Sequence, residues 1–150
     1  MAKTLGYMIT WTTYGTWLQG DKRGYVKSGK IYPKNENLRL SNKKAQLKKA
    51  VKLSKTQQQA VCNAILKEAA LQGQRIFAIT ATTNHVHLVA EYINKPISKT
   101  TAYYKKAGRL ALKTTGHNGK LWTRGYDKRF CFDQATLEQR IKYVNKHNTT

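Results

Sequence analysis

The order in which apolar residues switch between a spacing of two and a spacing of three to four leaves this chain few ways to fold. Tyr7-Met8-Ile9-Thr10-Trp11-Thr12-Thr13 is rich in β-branched and aromatic residues, the composition of a pleated strand. Ser54-Lys55-Thr56-Gln57 then has the form of a capping box, in which serine and glutamine each satisfy a backbone N–H at a helix start. Ala60, Val61, Ala64, Ile65 and Leu66 follow at helical spacing, giving one buried stripe that continues to about Leu71 before Gly73 ends the helix. Weaker helical character begins near Ser41.

Arg75 to Ala81 reads as the next strand, Asn84 as part of a tight turn or a strand entry and His85 to Tyr92 as the strand that completes an antiparallel hairpin. After Pro96, Ser98 to Lys113 carries Tyr103, Tyr104, Leu110 and Leu112 among Lys99, Lys105, Lys106, Arg109 and Lys113, the pattern of a basic amphipathic helix. Thr114 to Gly119 is a loop and Arg129 to Phe132 a short strand. Asp133 caps a last helix from about Ala135 to His147, with Leu137, Ile141 and Val144 on its buried side. Strand, helix, strand, strand, helix, strand, helix is the order of a split βαβ, ferredoxin-like α+β domain. The expected architecture is an antiparallel sheet with helices on one face, followed by an extra C-terminal helix. Residues 1–150 read as a single domain, with an irregular, basic insertion over about 20–44.

Charge narrows the partner. Lys and Arg number 28 against 7 Asp and Glu, a formal charge of +21, which solubility does not require and a polyanion would satisfy. No apolar run approaches the roughly 18 residues that cross a bilayer, so no membrane is expected. The start of the chain lacks the apolar segment and small-residue cleavage site of a signal peptide, so the expected location is the cytoplasm, with the nucleoid. Cys62 and Cys131, far apart and without metal-ligand spacing, read as reduced, buried thiols.

Within the hairpin stands His85-Val86-His87. In a strand, side chains two apart leave the same face, so both imidazoles point one way while Val86 and Leu88 point to a core. Such a pair can be two strand histidines bonded to neighbouring carbonyls, or the start of a metal site. A histidine-triad hydrolase needs a third histidine at position 89, which is Val89, and a zinc hydrolase needs further ligands at short spacing. A two-histidine site completed from elsewhere in the chain stands as the chemical alternative.

The last helix offers the completion. Tyr143 and His147 are four residues apart and share a face. A phenol ionises near pH ~10 and is a poor nucleophile at neutrality, but attack on a phosphodiester becomes feasible when a divalent ion neutralises the developing charge. Tyr143 is thus a candidate covalent nucleophile, and His147 a candidate third ligand beside His85 and His87. Single-stranded DNA is bound by a basic groove with aromatic platforms. Tyr103, Lys105, Lys106 and Arg109, then Trp122 and Arg124, then Trp17, Lys22 and Arg23 interleave those residue types.

Together Thr83-Asn84-His85-Val86-His87-Leu88-Val89, Thr12 through Gly24, Leu121-Trp122-Thr123-Arg124-Gly125-Tyr126-Asp127 and Ile141-Lys142-Tyr143-Val144-Asn145 span almost the whole chain. In that order they resemble the single-tyrosine HUH transposases of small insertion sequences, most of all the branch associated with repetitive extragenic palindromes. The resemblance implies a ferredoxin-like fold and Mg²⁺ or Mn²⁺ held by His85 and His87. It also implies cleavage and rejoining of single-stranded DNA with hairpin or palindromic ends, through a 5′-phosphotyrosine on Tyr143. It allows a homodimer. Relatives in that branch commonly continue the last helix into an Asn-Pro turn; here Asn145-Lys146-His147-Asn148 lacks the proline, so His147 comes first as third ligand, with Asn148 or water behind it. The rival expectation is a non-catalytic or domesticated module that binds hairpins without cutting, since small ferredoxin-like sheets also bind nucleic acid by stacking.

Overall fold

The computed structural model describes residues 3–16 and 50–146. The insertion expected over 20–44, the helical character near Ser41, and Trp17, Lys22, Arg23, His147 and Asn148 lie outside the described residues. Within them the elements follow the expected order: β1 (Gly6–Thr12), α1 (Lys55–Gln72), β2 (Ile76–Ala81), β3 (His85–Glu91), α2 (Ile97–Lys113), β4 (Asp127–Cys131) and α3 (Gln134–Lys146).

The strands lie in the order β2-β3-β1-β4, and every neighbouring pair is antiparallel. β1 and β2 therefore run parallel with β3 between them, which is the split βαβ arrangement. β4 begins at Asp127, two residues before the expected strand, because Thr10 and Ile9 already supply partners for Asp127 and Lys128.

Local chemistry sets the ends of α1. The Ser54 hydroxyl accepts from the Gln57 N–H at 3.1 Å and the Gln57 side chain accepts from the Ser54 N–H at 2.8 Å, the reciprocal capping box. At the other end Gly73 takes φ +70°, a left-handed backbone that glycine adopts without strain. The buried stripe is narrower than expected: Val61, Ile65 and Ala69 face the core, whereas Leu66 is 42% and Leu71 81% exposed. Residues spaced by four follow one ridge of the helix, and Leu66 and Leu71 fall to its side.

Strand alternation divides the interior in two. Tyr7, Ile9 and Trp11 of β1 and Val86, Leu88 and Ala90 of β3 face α1 and α2, where they meet Val61, Ile65, Tyr104 and Leu112. Met8, Ala78, Val89 and Cys131 face the opposite way and are covered by Leu137 and Val144 of α3, with Ile141 beside them. The helix whose placement periodicity leaves open thus crosses the face that α1 and α2 leave bare. The helix comes close to the sheet at Gly6: a Cβ there would stand 3.1 Å from Leu137 Cδ1 and 2.6 Å from the Ala90 carbonyl oxygen, so only glycine fits without shifting the strand pair.

Beneath α1 and α2 lies a buried polar cluster. Gln74 Nε2 donates to Tyr7 Oη at 2.7 Å and to the Glu91 carbonyl at 2.8 Å, and the Tyr104 hydroxyl donates to Gln74 Oε1. Burial pushes both phenols above the usual tyrosine range. A raised folded pKa gives stability that is complete below the unfolded value, about 10, and that fades as pH climbs through the folded value. Melting temperature should therefore fall as pH climbs beyond about 10, and Tyr104→Phe should flatten that fall. A melting temperature independent of pH in this alkaline range would contradict the arrangement. Cys62 and Cys131 are both free thiols, half-buried and buried, and burial raises both. Among the described residues no helix is long and apolar enough to cross a membrane.

Candidate functional site

On β3 the alternation puts His85 and His87 on the α3 face, because Val86 and Leu88, both fully buried, fill the core on the other. Their ring centroids are 4.3 Å apart at an interplanar angle of 80°. Cross-strand register then supplies the partners. Thr10 lies opposite His87, and its Oγ1 is 2.9 Å from His87 Nδ1 in a buried hydrogen bond. His85 is held from the turn before it: Nδ1 is 2.7 Å from Asn84 Oδ1 and 2.9 Å from Thr82 Oγ1. An amide oxygen only accepts, so His85 carries its proton on Nδ1 and donates it to Asn84.

Tyr143 joins this pair from α3. Its ring centroid is 5.6 Å from that of His87, edge-on at 80°, while 45% of the residue is exposed. The placement follows from the helix stripe: Leu137, Ile141 and Val144 lie against the sheet, and Tyr143, one residue before Val144, stands beside that line and against the His87 ring. Asp133 sets where the helix starts, accepting from the Thr136 N–H at 2.7 Å, and this bond holds its carboxyl below the usual range. The expected nucleophile and the histidine pair, 56 positions apart at their nearest in the chain, are thereby brought to a single spot.

The donor set can be tested against a metal ion. With Nδ1 of each ring engaged by oxygen atoms, Nε2 is the nitrogen through which a metal would be held, the arrangement in which neighbours fix ligand tautomer and ring angle. Among the described residues no group of three or more His, Cys, Asp or Glu could hold a metal. Two imidazoles thus fit part of a coordination sphere whose remaining positions need oxygen donors, as Mg²⁺ and Mn²⁺ accept. The third ligand expected at His147 lies outside the described residues.

The residues expected to touch nucleic acid fall elsewhere. Tyr103, Lys106 and Arg109 are exposed on α2, on the other face of the sheet from the imidazoles, and Lys95 Nζ stands 5.8 Å over the Tyr103 ring. Lys105 turns inward: its Nζ donates to the carbonyls of Thr123 at 2.9 Å and Gly125 at 2.8 Å, and burial lowers its pKa. Trp122 is half-buried, packs edge-on to Trp11 at 5.7 Å and donates from Nε1 to the Lys105 carbonyl at 2.8 Å. Lys105 and Trp122 together tie α2 to the segment before β4, and Arg124 in that segment is exposed. Sequence reasoning did not find Thr10 or Thr82 as partners of the histidines. Thr10 is visible only through register; Asn84 and Thr82 carry a weak local signal, as turn residues beside His85.

Comparison with known proteins bears on the fold. Neither a protein-family model nor a curated protein matches the chain. Among solved structures, the chain is similar to a REP-associated tyrosine transposase bound to a REP hairpin, with a TM-score of 0.57 and 12% identity over 96% of this chain and 67% of that one. It is also similar to an inferred transposase from Deinococcus radiodurans, with a TM-score of 0.51 and 17% identity over 97% of this chain and 92% of that one. The chain has the fold of these transposases: an α+β domain built on an antiparallel four-stranded sheet.

Proposed function

We propose that this protein cuts and rejoins single-stranded DNA beside a hairpin, through a covalent 5′-phosphotyrosine on Tyr143. The observation that carries the proposal is the approach of the Tyr143 ring to 5.6 Å from His87, itself 4.3 Å from His85. The hairpin-bound transposase of the same fold points to the substrate, and the charge of +21 suits it.

Thr10, Thr82 and Asn84 hold the two rings so that His85 and His87 would bind Mg²⁺ or Mn²⁺ through Nε2. When bound, the ion supplies charge neutralisation at the scissile phosphate. Tyr143 Oη attacks phosphorus from the side opposite the leaving oxygen; the phenolic proton passes to water, the O–P bond to the tyrosine forms, and the bond to the 3′ oxygen breaks, that oxygen taking a proton from water to leave a 3′-hydroxyl. Because one phosphodiester replaces another, a 3′-hydroxyl attacking the phosphotyrosine reverses the step and rejoins a strand without a nucleotide cofactor. His87 is 7% exposed, so its ring is largely shielded from bulk water.

The test is capture of a labelled, hairpin-bearing oligonucleotide with Mn²⁺ present. A denaturation-resistant adduct that disappears with chelator supports the reading; tight hairpin binding with no adduct under any divalent ion overturns it in favour of a non-catalytic module. Affinity should also fall steeply and log-linearly with salt, as phosphate contacts release counterions. A flat response between low and moderate salt contradicts the electrostatic part of the proposal.

A further inference from the structure

We infer that Phe130, Phe132 and Lys128 form a stacking platform for unpaired bases of the DNA strand on the side of the sheet away from Tyr143, an assignment that rests on the proposed function above. β4 is an edge strand, and alternation sends Asp127, Arg129 and Cys131 to the imidazole face and Lys128 and Phe130 to the other. There Phe130 is 41% and Phe132 52% exposed, with ring centroids 6.1 Å apart and planes 27° from parallel. Lys128 Nζ stands 5.8 Å over the Phe130 ring.

Scattered exposed apolar residues are ordinary, but a near-parallel pair with a cation over it is an arrangement of its own. Phe130 is buttressed from below by Tyr7, fully buried and edge-on at 6.4 Å, which is itself fixed by Gln74. Phe130 is therefore held from the core side before anything binds. Charge selects an anionic occupant. Asp127 is paired with Arg129 at 3.2 Å on the opposite face, and Asp133 is bonded to the Thr136 N–H, so the flanking carboxylates are engaged and Lys128 sets the local sign. An occupant with flat apolar rings and a negative backbone is an unpaired nucleotide strand; duplex bases are already stacked and cannot reach a flat surface of this kind.

The experiment compares affinities for a hairpin with a single-stranded flank, either fully base-bearing or carrying abasic sites, with wild-type protein, Phe132→Ala and Lys128→Gln. Phe132 is the more exposed ring and its truncation leaves the Tyr7 contact of Phe130 in place, so folding is retained. Phe132→Ala should weaken binding of the base-bearing flank roughly tenfold and of the abasic flank less than about twofold. Lys128→Gln should weaken both, with a smaller salt slope. Equal losses on both flanks, or no loss on either, overturn the platform, as does a Phe132→Ala protein that changes oligomeric state with DNA affinity intact. Covalent capture by Tyr143, measured on the same proteins, reports separately on the cleavage reading. A normal adduct without base dependence sinks only the platform; base dependence without an adduct sinks only the cleavage.

Discussion

Replacing Tyr143 with phenylalanine should abolish covalent capture of a cleaved strand while hairpin affinity stays within about twofold. The change removes one oxygen from a side chain that is 45% exposed, and the ring keeps its edge contact with His87. Substitutions at such positions usually move stability by less than about 0.5 kcal/mol. Loss of a covalent nucleophile, by contrast, lowers turnover by roughly 10³-fold or more. Two other tyrosines serve as controls. Tyr103→Phe lies on α2, across the sheet from the histidines, and should leave capture unchanged. Tyr104→Phe removes a donor to Gln74 and should lower stability while the adduct still forms. Undiminished capture by Tyr143→Phe, quantified on denaturing gels, would remove the nucleophile assignment.

The second large effect lies in packing. Leu137→Ala should destabilise the fold by about 2–5 kcal/mol, the cost of deleting buried methyls and leaving a cavity. Leu137 is 5% exposed and sits where Gly6 leaves room, so neighbouring side chains cannot easily collapse into the gap. For a domain of this size that is a drop of roughly 10 °C in melting temperature. The same substitution loosens the hold of α3 on the sheet and with it the position of Tyr143, so capture should fall even at temperatures where the protein remains folded. Leu66→Ala, at 42% exposure on α1, is the matching control and should move stability by less than about 0.5 kcal/mol. Similar melting temperatures for the two variants would show that α3 does not anchor through Leu137.

Much of this was legible because it is local. The capping box at Ser54 and the turn at Gly73 depend on residues within one helical turn, and both ends of α1 stand where those residues place them. The two-residue alternation of β3 sends Val86 and Leu88 one way and His85 and His87 the other, whatever the strand packs against. The error at Leu66 and Leu71 has a related cause: periodicity reports that a helix has an apolar side, while the width of the side that is covered depends on the neighbours.

The sequence by itself determined the element order, the common face of the two imidazoles and the stripe of α3, because each follows from spacing along one short segment. Only the tertiary structure decided that α3 crosses the imidazole face, bringing Tyr143 to His87, and that Thr10 lies opposite that histidine. It also turned Lys105 and Trp122 inward to brace α2, and set Phe130 beside Phe132 over Tyr7. These are contacts between residues tens of positions apart, fixed by strand register and by which sheet face each helix covers, and no local pattern carries either.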